Sequence, residues 1–204
     1  MSAREMFWGR VKSLFGANDV KYGEEFFTDA WFTNWSELQH ILAELVQTVT
    51  SWRSILDFGC GPGVMIDLMN QCGLNYTGFD PSPEARELYL KHYGQYPDKY
   101  ITMLHPDSFD VVMSFDVLEH MTDDEVAAFI ARFYHVPDIF VNISRVSGVL
   151  GHINLKTDDQ WITFFALRGR VFNETLTVTL RNKYRNIKPS CNDAWDKNMF
   201  VFSL

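Results

Sequence analysis

No run in this chain approaches the ~18 consecutive apolar residues of a membrane-spanning helix, although 47% of its 204 residues are hydrophobic. The composition is that of a globular protein, and the length suits one domain with a substantial core. The opening segment Met1-Ser-Ala-Arg-Glu-Met6 carries an acid early and lacks an apolar centre, so a secretory leader is not expected there. Cysteine is scarce. Cys60, Cys72 and Cys191 are too few and too scattered for a disulfide framework or paired zinc spacing, and cytoplasm is the expected compartment. Basic residues are outnumbered, 18 Lys and Arg against 26 Asp and Glu, for a net charge of −8. A nucleic-acid footprint needs clustered cations. The one basic block, Arg181 to Lys188, reads as a solvated strand end or hairpin tip. Internal repeats, low-complexity tracts and linkers are also missing. We therefore expect a single domain, with an N-terminal cap and first helix over residues 1–50 and the core over 51–204.

What the chain does have is glycine in one telling place. Residues Ile55-Leu-Asp-Phe-Gly-Cys-Gly-Pro-Gly63 read as a short apolar strand entering a glycine-dense turn, and a second apolar run, Tyr76-Thr-Gly-Phe-Asp80, ends on a carboxylate. Strand, glycine turn, helix, strand and acid is the order of a nucleoside-binding βαβ unit. The glycines are spaced G-x-G-x-G (Gly59, Gly61, Gly63), and Val64 stands where a dinucleotide fingerprint has its third glycine. Pro62 removes an N–H that a pyrophosphate cradle would use. Asp57 would repel a pyrophosphate and welcome an ammonium. These residues suggest a ligand with a ribose and an ammonium but no phosphate.

The periodicity predicts a helix over residues 36–50, capped by Asn34 or Ser36, with Leu38, Ile41, Leu42, Leu45, Val46 and Val49 on one stripe. Strands are expected at 54–58, 75–80, 100–104, 108–115 and 138–144. Helices are expected at 63–72, 83–93, 122–134 (from a Thr122–Glu125 capping box) and 157–167. Two late β-rich runs, 170–181 and 198–203, are read as an antiparallel hairpin. The first 35 residues are dense in aromatics, Phe7, Trp8, Tyr22, Trp31 and Trp35 among them, and read as core or as a lid over a site.

The glycine turn resembles that of the class I S-adenosylmethionine (SAM)-dependent methyltransferases. So does Phe109-Asp-Val-Val-Met-Ser-Phe-Asp-Val-Leu-Glu-His-Met121, which resembles the family's F-D-x-V-x-S-x-x-V-L-E-H signature after a Pro106-Asp107-Ser108 turn. The resemblance implies an α/β, Rossmann-like, seven-stranded mostly parallel sheet. Helices would cover both faces, with an antiparallel terminal hairpin and an aromatic helical N-terminal cap. It implies SAM as cofactor and S-adenosylhomocysteine as product. The SAM contacts it implies are Asp57 near the amino end, Gly59, Cys60, Gly61 and Gly63 along the turn, Asp80 on the ribose hydroxyls, Pro81, Ser114, Phe115 and Tyr22.

Catalytic candidates are His152, Asp116, Glu119 and His120. Glycines flank His152 in Gly148-Val-Leu-Gly-His-Ile-Asn154, so that loop is expected to reach over the site and offer a general base for a hydroxyl. The phrase G-H-I-N-L-K before an aromatic helix resembles bacterial and phage methyltransferases found beside glycosyltransferases, which implies a small-molecule or glycan acceptor. No metal is assigned. A rival reading gathers Asp116, Glu119, His120 and His152 around Mg²⁺ or Mn²⁺, a set that resembles small-RNA 2′-O-methyltransferases except that Asp116 stands where they have Glu. A second alternative is a SAM-binding subunit without catalysis. Base-amine and cytosine C5 methylation are set aside, because neither a Pro-Pro-Tyr-type motif nor a Pro-Cys pair follows the fourth strand.

Overall fold

The computed structural model describes residues 29–104, 108–149, 151–188 and 195–204, with side chains from Leu38 onward. Tyr22 and the aromatics before residue 29 lie outside the described residues. The elements are α1 (Asp29–Val49), β1 (Ser54–Phe58), α2 (Val64–Gln71), β2 (Asn75–Phe79), α3 (Pro83–His92), β3 (Tyr100–Ile101), β4 (Val111–Phe115), α4 (Asp123–Arg132), β5 (Asp138–Asn142), α5 (Asp158–Ala166), β6 (Val171–Phe172), α6 (Glu174–Ile187) and β7 (Met199–Ser203). Among the described residues no helix is long and apolar enough to cross a membrane.

The sheet runs β3-β2-β1-β4-β5-β7-β6. Its first five strands are parallel, while β7 pairs antiparallel with both β5 and β6. Strand order reverses between β1 and β4, so the crevice beyond their carboxyl ends is the natural ligand position. Side chains alternate strictly across the sheet. Ile55, Val111, Met113, Phe140 and Val201 enter one core with α1, α2 and α6. Leu56, Val112, Ile139, Val141 and Phe202 enter the other, with Phe129, Trp161 and Phe165. Strands buried on both faces explain why β4 reads as a continuous apolar run.

Two expectations are corrected. Helix α1 begins at Asp29, so Asn34 and Ser36 lie inside it; neither Gly nor Pro interrupts residues 29–49. The run 170–181 is not a long strand. Only Val171 and Phe172 pair with β7, and α6 starts at Glu174, with the Asn173 side chain accepting the Leu176 N–H at 3.0 Å. Alternating Thr175, Thr177 and Thr179 mimic a strand. The spacing of buried Thr177, Leu180 and Tyr184 is helical, and burial against α1 decides the outcome. The basic block therefore forms the last turns of α6 and its C-cap residue, Lys188, rather than a hairpin tip.

The turn after β1 depends on close approach. Gly59 has φ of +80°, and a Cβ placed there would sit 2.6 Å from Cγ2 of Val117. Gly59→Ala should cost ~1–3 kcal/mol through backbone strain, with further loss from the clash. Chemical denaturation would measure it; a midpoint equal to wild type would show that the turn tolerates a side chain.

Candidate functional site

Apart from Tyr22, which lies outside the described residues, the residues singled out from sequence lie at or just beyond the carboxyl ends of β1, β2, β4 and β5. After β1, the N–H groups of Gly59 and Cys60 both donate to the carbonyl of Phe79, at 2.8 and 3.0 Å, which ties the turn to β2. The Gly61 N–H donates to Asp80 Oδ2 at 3.0 Å, and the Ser82 N–H to Oδ1 at 2.9 Å. From β3, the Tyr100 hydroxyl donates to the Gly61 carbonyl at 2.8 Å. The glycine turn and Asp80 are thus one unit, braced by a tyrosine that sequence reading did not single out. Tyr100 lacked any motif, and only β3 pairing beside β2 brings it near.

Asp57 lies on β1 in the same phase as Ile55 and is 5% exposed. Burial raises its pKa to about 7, a further push coming from the charge of Asp80 and an opposing one from the Tyr76 phenol. Asp80 is itself raised to about 6 by burial, against the stabilising N–H groups of Ser82 and Gly61. Neither carboxylate is in an ion pair with a described Lys, Arg or His. Two neighbouring acids without a cation form a donor-hungry pair, suited to a cationic ligand that also offers hydroxyls. Cys60 flanks them, its thiol pushed up by burial.

Beyond β4 the chain turns sharply. Asp116 has φ of +53°, a conformation that Asp tolerates better than most residues. Its N–H donates to the Asn142 carbonyl at 2.9 Å. Its carboxyl is raised to about 6 by burial, and a hydrogen bond with Trp195 pulls the other way. Trp195 was missed in the sequence; it lies 79 positions along the chain and carries no motif. Ser114, expected at the cofactor, is fully buried, and its hydroxyl donates to the Phe58 carbonyl at 3.0 Å, bridging β4 and β1. Phe115 packs edge-on against Phe140 and Trp195. Pro81 is half-buried beside Asp80.

Glu119, His120 and His152 meet. Glu119 is fully buried. Its Oε1 accepts the Ser144 N–H at 3.0 Å, while Oε2 has no hydrogen-bond partner. Burial first and Asp116 second raise its pKa to about 8. The N–H groups of Ile153 and Asn154 both donate to the Glu119 carbonyl, at 2.9 Å each, and so dock the loop after β5 onto the turn after β4. The His120 and His152 rings meet edge to face at 4.7 Å. His152 Nδ1 lies 2.8 Å from the Val146 carbonyl. A carbonyl can only accept, so Nδ1 carries the hydrogen of this contact and Nε2 is the nitrogen that faces away from it. One ligand atom from each of Glu119, His120 and His152 lies within 4.8 Å of the others. Asp116, the fourth member of the expected set, stands outside that group.

Residues 32–138, just over half of the chain, match the family model described as "Methyltransferase domain". Over 81 residues the chain is 36% identical to the mitochondrial ubiquinone biosynthesis O-methyltransferase of Schizosaccharomyces pombe, covering 35% of this chain and 30% of that protein. The ubiquinone biosynthesis O-methyltransferase of Actinobacillus pleuropneumoniae is 31% identical over 84 residues, 35% of this chain and 36% of that protein. The chain thus matches about a third of the length of these curated relatives. Among solved structures it resembles the plantazolicin methyltransferase BpumL, crystallised with a pentazolic desmethylPZN analogue and S-adenosylhomocysteine. The TM-score is 0.61 at 15% identity, over 98% of this chain and 96% of that one. Magnesium protoporphyrin IX methyltransferase of Synechocystis with bound SAM gives 0.56 at 14% identity, over 96% and 89%.

The Asp57 carboxyl has a consequence that needs no ligand. Its native pKa, about 7, lies above the ordinary 3.8. The folded protein therefore keeps a proton that the unfolded chain releases, and stability falls as pH rises across that window. Asp57→Asn should raise the thermal midpoint of the ligand-free protein at about pH 8 and leave it nearly unchanged at about pH 4. Scanning calorimetry at both pH values checks this; equal midpoints at pH 8 would contradict the burial argument.

Proposed function

The chain belongs to the class I SAM-dependent methyltransferases, and on that premise we propose that it transfers a methyl group to a hydroxyl of a small molecule or glycan. The observation carrying the acceptor chemistry is the docked loop after β5, which brings the His152 imidazole, its Nδ1 engaged by the Val146 carbonyl, against His120 and Glu119. A hydroxyl nucleophile needs a positioned base, and an imidazole held through one ring nitrogen leaves the other to do that work.

The residues present fit the cofactor. Asp57 and Asp80 offer a paired negative environment for its ammonium and ribose hydroxyls, and the glycine turn leaves no side chain between backbone and ligand. When bound, SAM supplies an electrophilic methyl carbon on a sulfonium and departs as S-adenosylhomocysteine. In this reading Asp80 accepts the ribose hydroxyls, while Gly61 and Ser82 hold its carboxylate in place. His152 Nε2 takes the acceptor proton, and the Val146 carbonyl stabilises the imidazolium that results. Glu119 is a positioning residue whose backbone and side chain hold the two loops at a fixed separation. Val146, Val149, Ile153 and Leu155, exposed on the same loop, supply an apolar flank for the acceptor's carbon skeleton.

The net charge of −8 argues against an RNA acceptor. Turnover of SAM with any hydroxyl acceptor would separate catalysis from a binding-only role. Asp80→Ala should weaken SAM binding by ~1–3 kcal/mol, the scale for losing a partner to buried hydrogen-bonding groups; unchanged affinity by calorimetry would remove its ribose role. His152→Ala should lower kcat by ~10²–10⁴-fold, the usual contribution of a positioned base, with SAM affinity intact. Normal turnover would eliminate it as the base.

A further inference from the structure

We propose that Glu119, His120 and His152 form a binding site for one divalent transition-metal ion, with Glu119 Oε2 and one nitrogen of each imidazole as ligands. Three observations converge. The ligand atoms lie within 4.8 Å of one another, a spread that a small contraction would bring to the ~2.0–2.2 Å bonds of such an ion. Each ligand is oriented from behind by backbone: Glu119 Oε1 by the Ser144 N–H, His152 Nδ1 by the Val146 carbonyl, and the His120 ring by the Gly151 backbone. That is the outer-shell arrangement found around metal-bound imidazoles and carboxylates. Finally, Glu119 Oε2 is buried with no hydrogen-bond partner, a costly state that a cation would relieve.

The donor set selects the class of ion. Two imidazoles and one carboxylate suit Zn²⁺, Fe²⁺, Co²⁺ or Mn²⁺ better than Ca²⁺ or Mg²⁺, which prefer all-oxygen shells. His120 and His152 are both partly exposed, so three protein ligands face an open side, as in catalytic rather than structural sites. Asp116 is engaged with Trp195, and its charge adds to the attraction without making it a ligand. With an ion bound, the His152 lone pair would be a ligand and not a base; the ion would lower the pKa of a hydroxyl coordinated on the open side, whose proton would pass to solvent water as the oxygen takes the methyl group.

The metal site shares its cluster with the proposed base, and so rests partly on that reading, but its test needs neither SAM nor acceptor. Protein stripped with EDTA and dialysed is titrated with Co²⁺, monitored by calorimetry and visible absorption. We expect one equivalent bound with a d–d spectrum. Glu119→Gln and His152→Ala should each weaken it at least ~10-fold, and exposed His135→Ala should not change it. If Glu119→Gln fails to fold, His152→Ala still decides. No binding, binding indifferent to His152→Ala, or binding equally weakened by His135→Ala would overturn the site. Co²⁺ binding without methyl transfer would overturn the proposed function and leave the site standing. Methyl transfer in protein that binds no Co²⁺ would do the reverse.

Discussion

The candidate site depends on how Glu119 is held. This residue is fully buried, and both its backbone carbonyl and its carboxylate reach the segment after β5, at Ile153, Asn154 and Ser144. Those three hydrogen bonds join two turns that lie far apart along the chain. They fix a loop with glycines at 148 and 151, together with the Asn154 side chain, which donates to the Met121 carbonyl at 2.8 Å. A burial that costs the carboxylate its easy ionisation is what gives the imidazole a defined place. This fits a general pattern in which functional sites hold groups that local stability alone would reject.

The same end of the sheet concentrates acid. Asp57, Asp80, Asp116 and Glu119 all have pKa values raised by burial, and two of them feel a neighbouring carboxylate. The four divide by position. Asp57 and Asp80 flank the glycine turn, whereas Asp116 and Glu119 follow β4, Glu119 beside the two imidazoles. Neither pair forms a salt bridge with a described basic residue. Buried acid is thus concentrated at two places on one end of the sheet, where positive charge would be welcome.

Much of this was legible in the chain. The apolar runs at 55–58, 76–79 and 111–115 have lengths and flanks that only buried parallel strands explain, and the Thr122 and Thr157 capping boxes marked two helix starts directly. The glycine turn and Asp80 could be paired in advance because the βαβ unit brings them together by local geometry. Helix α6 could not be read so easily. Its threonines alternate like a strand, and the burial against α1 that overrides them is a tertiary fact. Trp195 and Tyr100 were invisible for a related reason: each acts through a neighbour supplied by sheet order rather than by spacing. His152 was recognisable as a loop residue, but its meeting with His120 required the Glu119 carbonyl, which no side-chain pattern encodes. Tyr22 and the aromatics before residue 29 lie outside the described residues.

Strand β7 carries a consequence for synthesis. It sits between β5 and β6, yet it is made almost 60 residues after the one and some 26 after the other. Until residues 199–203 leave the ribosome, β5 presents an unpaired edge, β6 has nothing to pair with, and Phe200, Val201 and Phe202 are missing from both cores. The nascent chain must therefore wait with an exposed, apolar sheet margin, the kind of surface that invites wrong partners. The last five strand residues thus close the sheet and complete both cores in a single step.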